Sequence, residues 1–298
     1  MGISTRMHNW LNSSGSVASR EPEVGVDSPI VDADTDYTKP TRARRLWRRW
    51  ERLILGTSAI AVVLGAWQLS AAEHWVNTEF TSEPSAVATS LVNYFQHGTG
   101  WGDLWVTSQE FLIGFALSLA IGIPLGVLMG WYKKIDELLN PMVIFLNNIP
   151  RIALAPLFVI WFGIGLESKV AIVLCVATIP LIFNARAGVV TTERTLVQMA
   201  RSYGTPNIAL LWKVVLPGSV PTIVSGVRIA VGQGLQAVVL AEFIAAEHGL
   251  GFTLFSAAET LDTARMFDAV TVIAVAGLIL TALATRLERY FDRWRVAD

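Results

Sequence analysis

Few residues in this chain are equipped for covalent chemistry, and none stand at catalytic spacing. The four histidines (His8, His74, His97, His248) are scattered and match no metal-binding pattern. Cys175 is the single cysteine, which excludes an intrachain disulfide and a cysteine-based zinc cluster. There is no Gly-Lys dipeptide and hence no phosphate-binding P-loop, and neither His-Glu-x-x-His nor Gly-x-Ser-x-Gly occurs. Gly249-Leu250-Gly251 lacks the third glycine and the preceding strand of a dinucleotide site and reads as a turn. No cofactor, metal or catalytic residue is expected.

The residues that could work are polar ones inside apolar stretches, where an ionisable or amide group is costly and faces the bundle interior. They are Glu110, Asn147, Asn148, Arg151, Arg228, Gln233, Gln236 and Glu242. Pro150 removes a helix donor, which is tolerable at membrane depth only beside protein or a water-filled cavity. Asn147, Asn148 and Arg151 therefore read as a translocation-pathway segment whose cation suits an anionic solute, joined by Gln233, Gln236 and Glu242. Arg151 also fits an inter-helix ion pair or a backbone cap. Arg228 fits snorkelling or structural pairing, and Glu242 fits simple solvation near a span's outer end.

These residues are positioned by long apolar blocks. Of 298 residues 53% are hydrophobic and only 16% charged, against roughly a quarter charged in an ordinary soluble domain, and mean hydropathy is +0.49. A net charge of −1 offers no bulk attraction to nucleic acid. A helix needs about 20 apolar residues to cross the hydrocarbon core. Residues 53–72, 111–131, 138–162, 170–185, 219–246 and 269–285 supply six such spans, the third broken by Pro150, Arg151 and Pro156. The expected fold is all-α, a polytopic membrane bundle. Its parts are a disordered acidic tail over 1–40, a basic interfacial helix over 41–52, a first span and outer loop over 53–103, and the main transmembrane domain over 104–298.

Basic residues gather on one side of these spans: the Arg42–Arg52 cluster, Lys133, Lys134, Arg186, Arg194, Arg201, Lys213, Arg286, Arg289, Arg293 and Arg295, against Lys169 and Arg265 on the other. Both termini are thus expected inside the cell. In the second span Gly114, Ser118, Gly122, Gly126 and Gly130 recur every four residues, a groove for close helix approach.

One inner loop, about residues 186–217, is too patterned for a simple hairpin. A short helix is expected over Thr191–Tyr203, capped by Gly204 and stopped by Pro206, before Leu216-Pro217 restarts the chain toward the membrane. This describes two short helices meeting at a right-angle turn. The loop resembles the Glu-Ala-Ala-x3-Gly-x9-Ile-x-Leu-Pro signature of permease subunits of bacterial binding-protein-dependent ABC importers. Ala200, Gly204, Leu216 and Pro217 match, Val214 stands for the isoleucine, and Gln198 and Met199 replace the usual Glu and Ala. Ile149–Leu157, Trp161–Gly165, Ala241-Glu242 and Gly249–Phe252 are similar to the nitrate, sulfonate and taurine branch.

The resemblance implies an import channel without its own engine, and not an enzyme. ATP would be hydrolysed by a separate subunit contacting Gln198, Met199, Ala200, Gly204, Leu216 and Pro217. A periplasmic or lipid-anchored binding protein would deliver a small solute, such as a sulfonate, taurine, nitrate or organic acid, for alternating-access transport. Two identical chains would form the channel in the cytoplasmic membrane. The competing reading is an ion-gradient-driven secondary carrier, which would favour internal inverted repeats and mid-membrane carboxylates.

Overall fold

The computed structural model describes residues 42–75 and 77–292. The expected acidic tail, Arg293 and Arg295 lie outside them. The chain divides at Ala59/Ile60 into two compact units, and the packing below concerns the second.

Every regular element among the described residues is helical: α1 (Arg42–Ala72), α2 (Thr78–Thr81), α3 (Pro84–Gln96), α4 (Gly100–Trp131), α5 (Lys133–Asn148), a 3₁₀ turn (Arg151–Leu154), α6 (Ala155–Phe162), α7 (Leu166–Val190), α8 (Arg194–Ser202), α9 (Asn207–Leu210), a π-turn (Leu211–Val215), α10 (Leu216–Ala245), α11 (Leu250–Glu259) and α12 (Thr263–Asp292). Five helical stretches are long and apolar enough to cross a membrane, at 54–72, 100–131, 166–190, 207–245 and 263–286, and α5 with α6 makes a sixth if the bent pair counts as one.

That pair bends by 82°. Proline disfavours helical geometry in the residue before it, and Ile149 is accordingly extended (φ −71°, ψ 135°). Gly163 ends α6 at φ +81° and ψ −175°, a backbone region that essentially only glycine occupies. The second span starts at Gly100 and not near Phe111, because the polar turns Asp103–Thr107 and Glu110 are buried against other elements and hold the helix together beyond its apolar run.

The glycine ladder explains how α4 meets α7. A β-carbon on Gly114 would stand 2.7 Å from the Val173 β-carbon, on Gly122 2.9 Å from that of Leu181, on Gly126 2.7 Å from that of Ala185, and on Gly130 2.7 Å from that of Val189. Only bare backbone permits this approach. The contacts advance in the same direction along both helices, so α4 and α7 run parallel. The chain between them must therefore travel back along the bundle, and α5–α6 is that return. By contrast α10 is antiparallel to α7, with Gly226 against Asn184 and Gly234 near Ala177, and α12 is antiparallel to α10, with Gly277 against Leu235. Phe111, Phe115, Val173, Ala177, Leu181, Val231 and Val238 fill the space where α4, α7 and α10 meet.

Candidate functional site

One end of the bundle carries the patterned loop as a capped elbow. Gly204 sits at φ +72°, its N–H donating to Arg201 O (2.9 Å) while Thr205 N–H reaches Ala200 O (3.2 Å). This pair of bonds is the Schellman arrangement and closes the carbonyls at the end of α8. Pro206 then enters α9 extended (φ −66°, ψ 150°). Leu196, Met199, Tyr203, Ile208 and Trp212 are all exposed along the elbow, Tyr203 by 86%. Gln198 is exposed, while Ala200 and Leu216 are half-buried.

The return limb differs from expectation. No break separates α9 from the span: residues 207–245 form one helical run of 39 residues. Pro217 has no N–H to donate to Lys213 O and its ring crowds that carbonyl. The wide turn Leu211–Val215 precedes it, with Leu216 N–H donating to Leu211 O. Buried Thr192 steadies the turn, donating to Gly188 O (3.0 Å) and Val215 O (3.5 Å).

The structure places the sequence-expected polar residues on α4 (Glu110), around the α5–α6 bend (Asn147, Asn148, Arg151) and on α10 (Arg228, Gln233, Gln236, Glu242). Asn147 and Asn148 are exposed at the end of α5, with Asn148 Nδ2 donating to Ile144 O. Arg151, just past the bend, is half-buried and donates to Val176 O of α7 (3.0 Å). On α10, Gln236 is exposed and Gln233 half-buried, its enclosed Oε1 without a partner among the described residues. The two segments meet through Ala155, Val176, Ala237 and Ala241. Arg228 pairs with Glu288 of α12 (3.3 Å), which also accepts from Ser225. Asp136 and Arg186 form a two-pronged ion pair joining α5 to α7 (2.5 and 2.7 Å).

At the opposite end a knot of buried polar groups surrounds the start of α11. Glu242, fully buried, accepts from Thr107 Oγ1 (2.6 Å) and Gly251 N–H (2.7 Å). Asp103 accepts from Gly249 N–H (3.0 Å) and from the hydroxyls of Tyr94 (2.8 Å), Thr99 (2.6 Å) and Thr253 (3.1 Å). Leu250 N–H donates to Thr107 Oγ1 (2.9 Å). The amides of Gly249, Leu250 and Gly251 thus find acceptors on α4 and α10, and two acidic groups sit at the positive end of a helix. Gly249 adopts φ +114°, and a β-carbon on Gly251 would lie 2.8 Å from that of Glu242, so neither position accepts a side chain. Burial pushes the Tyr94 phenol well above its ordinary range.

Asp103, Thr107, Tyr94 and Thr253 escape a reading by motif. Glu242 on an apolar helix was the available signal, since a buried acid requires donors. Beside the knot, a cleft of about 390 Å³ is lined by Glu110 and Lys169 among others.

Comparison with known proteins follows this geometry. Residues 122–296 match the family described as the binding-protein-dependent transport system inner membrane component. The chain is 32% identical over 260 residues to the taurine transport system permease protein of Escherichia coli K12, covering 85% of this chain and 94% of that protein. It is 34% identical over 235 residues to a putative aliphatic sulfonates transport permease protein of the same organism, covering 79% and 89%. A formylaminopyrimidine transport permease protein of Halalkalibacterium halodurans is 30% identical over 183 residues, covering 61% and 73%. The fold is similar to an inward-facing structure of the MetNI methionine ABC transporter, with TM-score 0.56 and 17% identity over 63% of this chain and 94% of that one. With helices long and apolar enough to span, a family match over residues 122–296 and a taurine permease covered over 94% of its length, the chain belongs to the inner-membrane components of binding-protein-dependent transport systems and is a multi-pass permease subunit.

Proposed function

We propose that the protein is the membrane-spanning subunit of an ATP-driven importer carrying a small sulfonate- or taurine-type solute inward by alternating access. The observation that carries the mechanism is the unbroken helical run from the elbow into α10. A separate ATPase subunit docks on Gln198, Met199, Ala200 and Gly204, and its closure is passed through the π-turn Leu211–Val215 and Leu216-Pro217 to the span bearing Gln233, Gln236 and Glu242. The pathway runs between the side of α10 that carries Gln233 and Gln236 and the α5–α6 bend with Asn147, Asn148 and Arg151, while Glu242, on the opposite side of α10, anchors the buried knot. Two copies enclose it. A substrate-binding protein delivers solute at the α11 end, and both termini lie in the cytoplasm. The solute class is supported by relatives named for taurine and aliphatic sulfonates.

The test is reconstitution. Proteoliposomes holding this chain with its cognate ATPase should accumulate taurine or an alkanesulfonate only with ATP and binding protein. Accumulation driven by an ion gradient in vesicles holding this chain alone would sink the reading.

A further inference from the structure

The short helix of the elbow, α8, is turned against the usual pattern. An amphipathic helix ordinarily lays its apolar face on the bundle and its charges in water. Here Arg194, Val197, Gln198 and Arg201 follow one another at i, i+3, i+4 and i+7, which puts them on one face. That face lines a cleft between the elbow and the bundle. Leu196 and Met199 lie on the opposite side and are exposed. The two arginines therefore face the span ends across the cleft. Neither takes part in an ion pair or a side-chain hydrogen bond among the described residues.

The far wall of the cleft belongs to the ends of two spans. Helix α4 stops at Trp131 and α7 at Val190, so the cleft sits where hydrocarbon gives way to headgroups. Trp131 is half-buried there, at the interfacial depth tryptophan favours. Gly130, Val189, Val190 and Val215 make the rest of that wall apolar, and the Thr192 hydroxyl is engaged by Gly188 O and Val215 O. The cleft, about 440 Å³ in volume, is thus cationic on one side and apolar on the other, with no acidic residue lining it among the described residues. Arginine forks match phosphate oxygens two at a time. A free anion would use the arginine side alone and leave the valines wet, whereas an anionic head joined to an apolar body uses both. A zwitterionic headgroup would set its own cation against the arginines, so net negative charge is favoured.

We propose that this cleft holds the headgroup of an anionic phospholipid, its phosphate on Arg194 and Arg201 and its glycerol ester region against Trp131 and Val190. The headgroup braces α8 from behind and leaves the exposed apolar face of the helix open for docking. The experiment irradiates the full-length chain in detergent micelles with phosphatidylglycerol that carries a diazirine beside its ester carbonyl, and maps the adducts by peptide mass spectrometry. Adducts should fall on residues 130–131 and 189–201. Lipid held by the arginines of residues 42–52 labels its own peptides and is counted apart. Unlabelled phosphatidylglycerol should displace the probe from the cleft about thirtyfold more effectively than phosphatidylcholine of the same acyl chains, roughly fivefold for each arginine. Glycerol phosphate, the anion without the chains, should not compete at the same concentration. Arg194→Gln combined with Arg201→Gln should bring the two phospholipids level. Adducts confined to other peptides, equal displacement by the two lipids in the unaltered chain, or an undiminished preference in the double variant would each overturn the site. Displacement by glycerol phosphate as strong as by phosphatidylglycerol would overturn it too, in favour of a soluble anion. The unaltered-chain measurements decide even if the double variant does not insert.

Discussion

Nothing lies within 4 Å of the place a β-carbon on Gly204 would occupy, so a side chain there is opposed by backbone conformation alone. At φ +72° a β-branched residue adds strain of about 1–2 kcal/mol, enough to reaim α8 without touching the spans. Gly204→Val should lower uptake and ATPase co-purification together while membrane abundance stays near normal; unchanged uptake and pull-down would mark the loop as a mere connector. Gln198→Glu, at an exposed position, should leave both readouts intact. At the other end Asp103 is the hub of four donors. Asp103→Ala strands a buried amide and three hydroxyls and should cost about 3 kcal/mol or more, read as a lowered melting temperature in detergent. Tyr94→Phe, which removes one of the four, should cost about 1 kcal/mol. Because burial raises the Tyr94 phenol, its contribution is complete below the ordinary tyrosine pKa of about 10 and is lost as pH climbs through the raised value. The gap in melting temperature between the native chain and Tyr94→Phe should therefore shrink only in strong alkali.

At the scale of elements, the α4–α7 seam depends on missing side chains. A β-carbon on Gly126 would sit 2.5 Å from Ile182 O, a backbone atom that cannot step aside. Gly126→Val should separate the two helices and destabilise the bundle by about 1–3 kcal/mol. Gly232, also in a helix, has open space around it. Gly232→Ala should be neutral or stabilising by up to about 1 kcal/mol. Equal melting temperatures for the two variants would show that the seam is not close-packed. The same logic applies to the joint before Pro217: Pro217→Ala restores a donor and removes the cause of the wide turn, so uptake should fall with insertion preserved.

For the whole molecule, parallel α4 and α7 demand that α5–α6 return the chain, which makes six candidate crossings where the bent pair counts as one. We expect a cysteine placed at residue 134, in a Cys175→Ser background, to resist an impermeant thiol reagent applied from outside, and one at residue 97 to react. Outside labelling at 134 would reverse the proposed orientation. Purified alone, the chain should show no ATPase activity, since no P-loop is present.

What the sequence by itself determined were features written in local order. The spans are apolar runs, the α4 groove is a four-residue repeat on one helix, and the elbow follows from Gly204 and Pro206 a few residues apart. Each rests on backbone geometry or hydropathy within a turn or two. The tertiary structure decided which faces meet. Gly249 finds Asp103 across 146 positions of chain, and Thr107 finds Glu242 across 135, distances over which periodicity carries no information. It also decided that Leu216-Pro217 would not start a helix afresh, because a wide turn held by Thr192 absorbs the missing donor. And it left one oxygen of Glu110, Oε2, without a partner among the described residues, since whether a buried acid is satisfied depends on neighbours that only packing supplies.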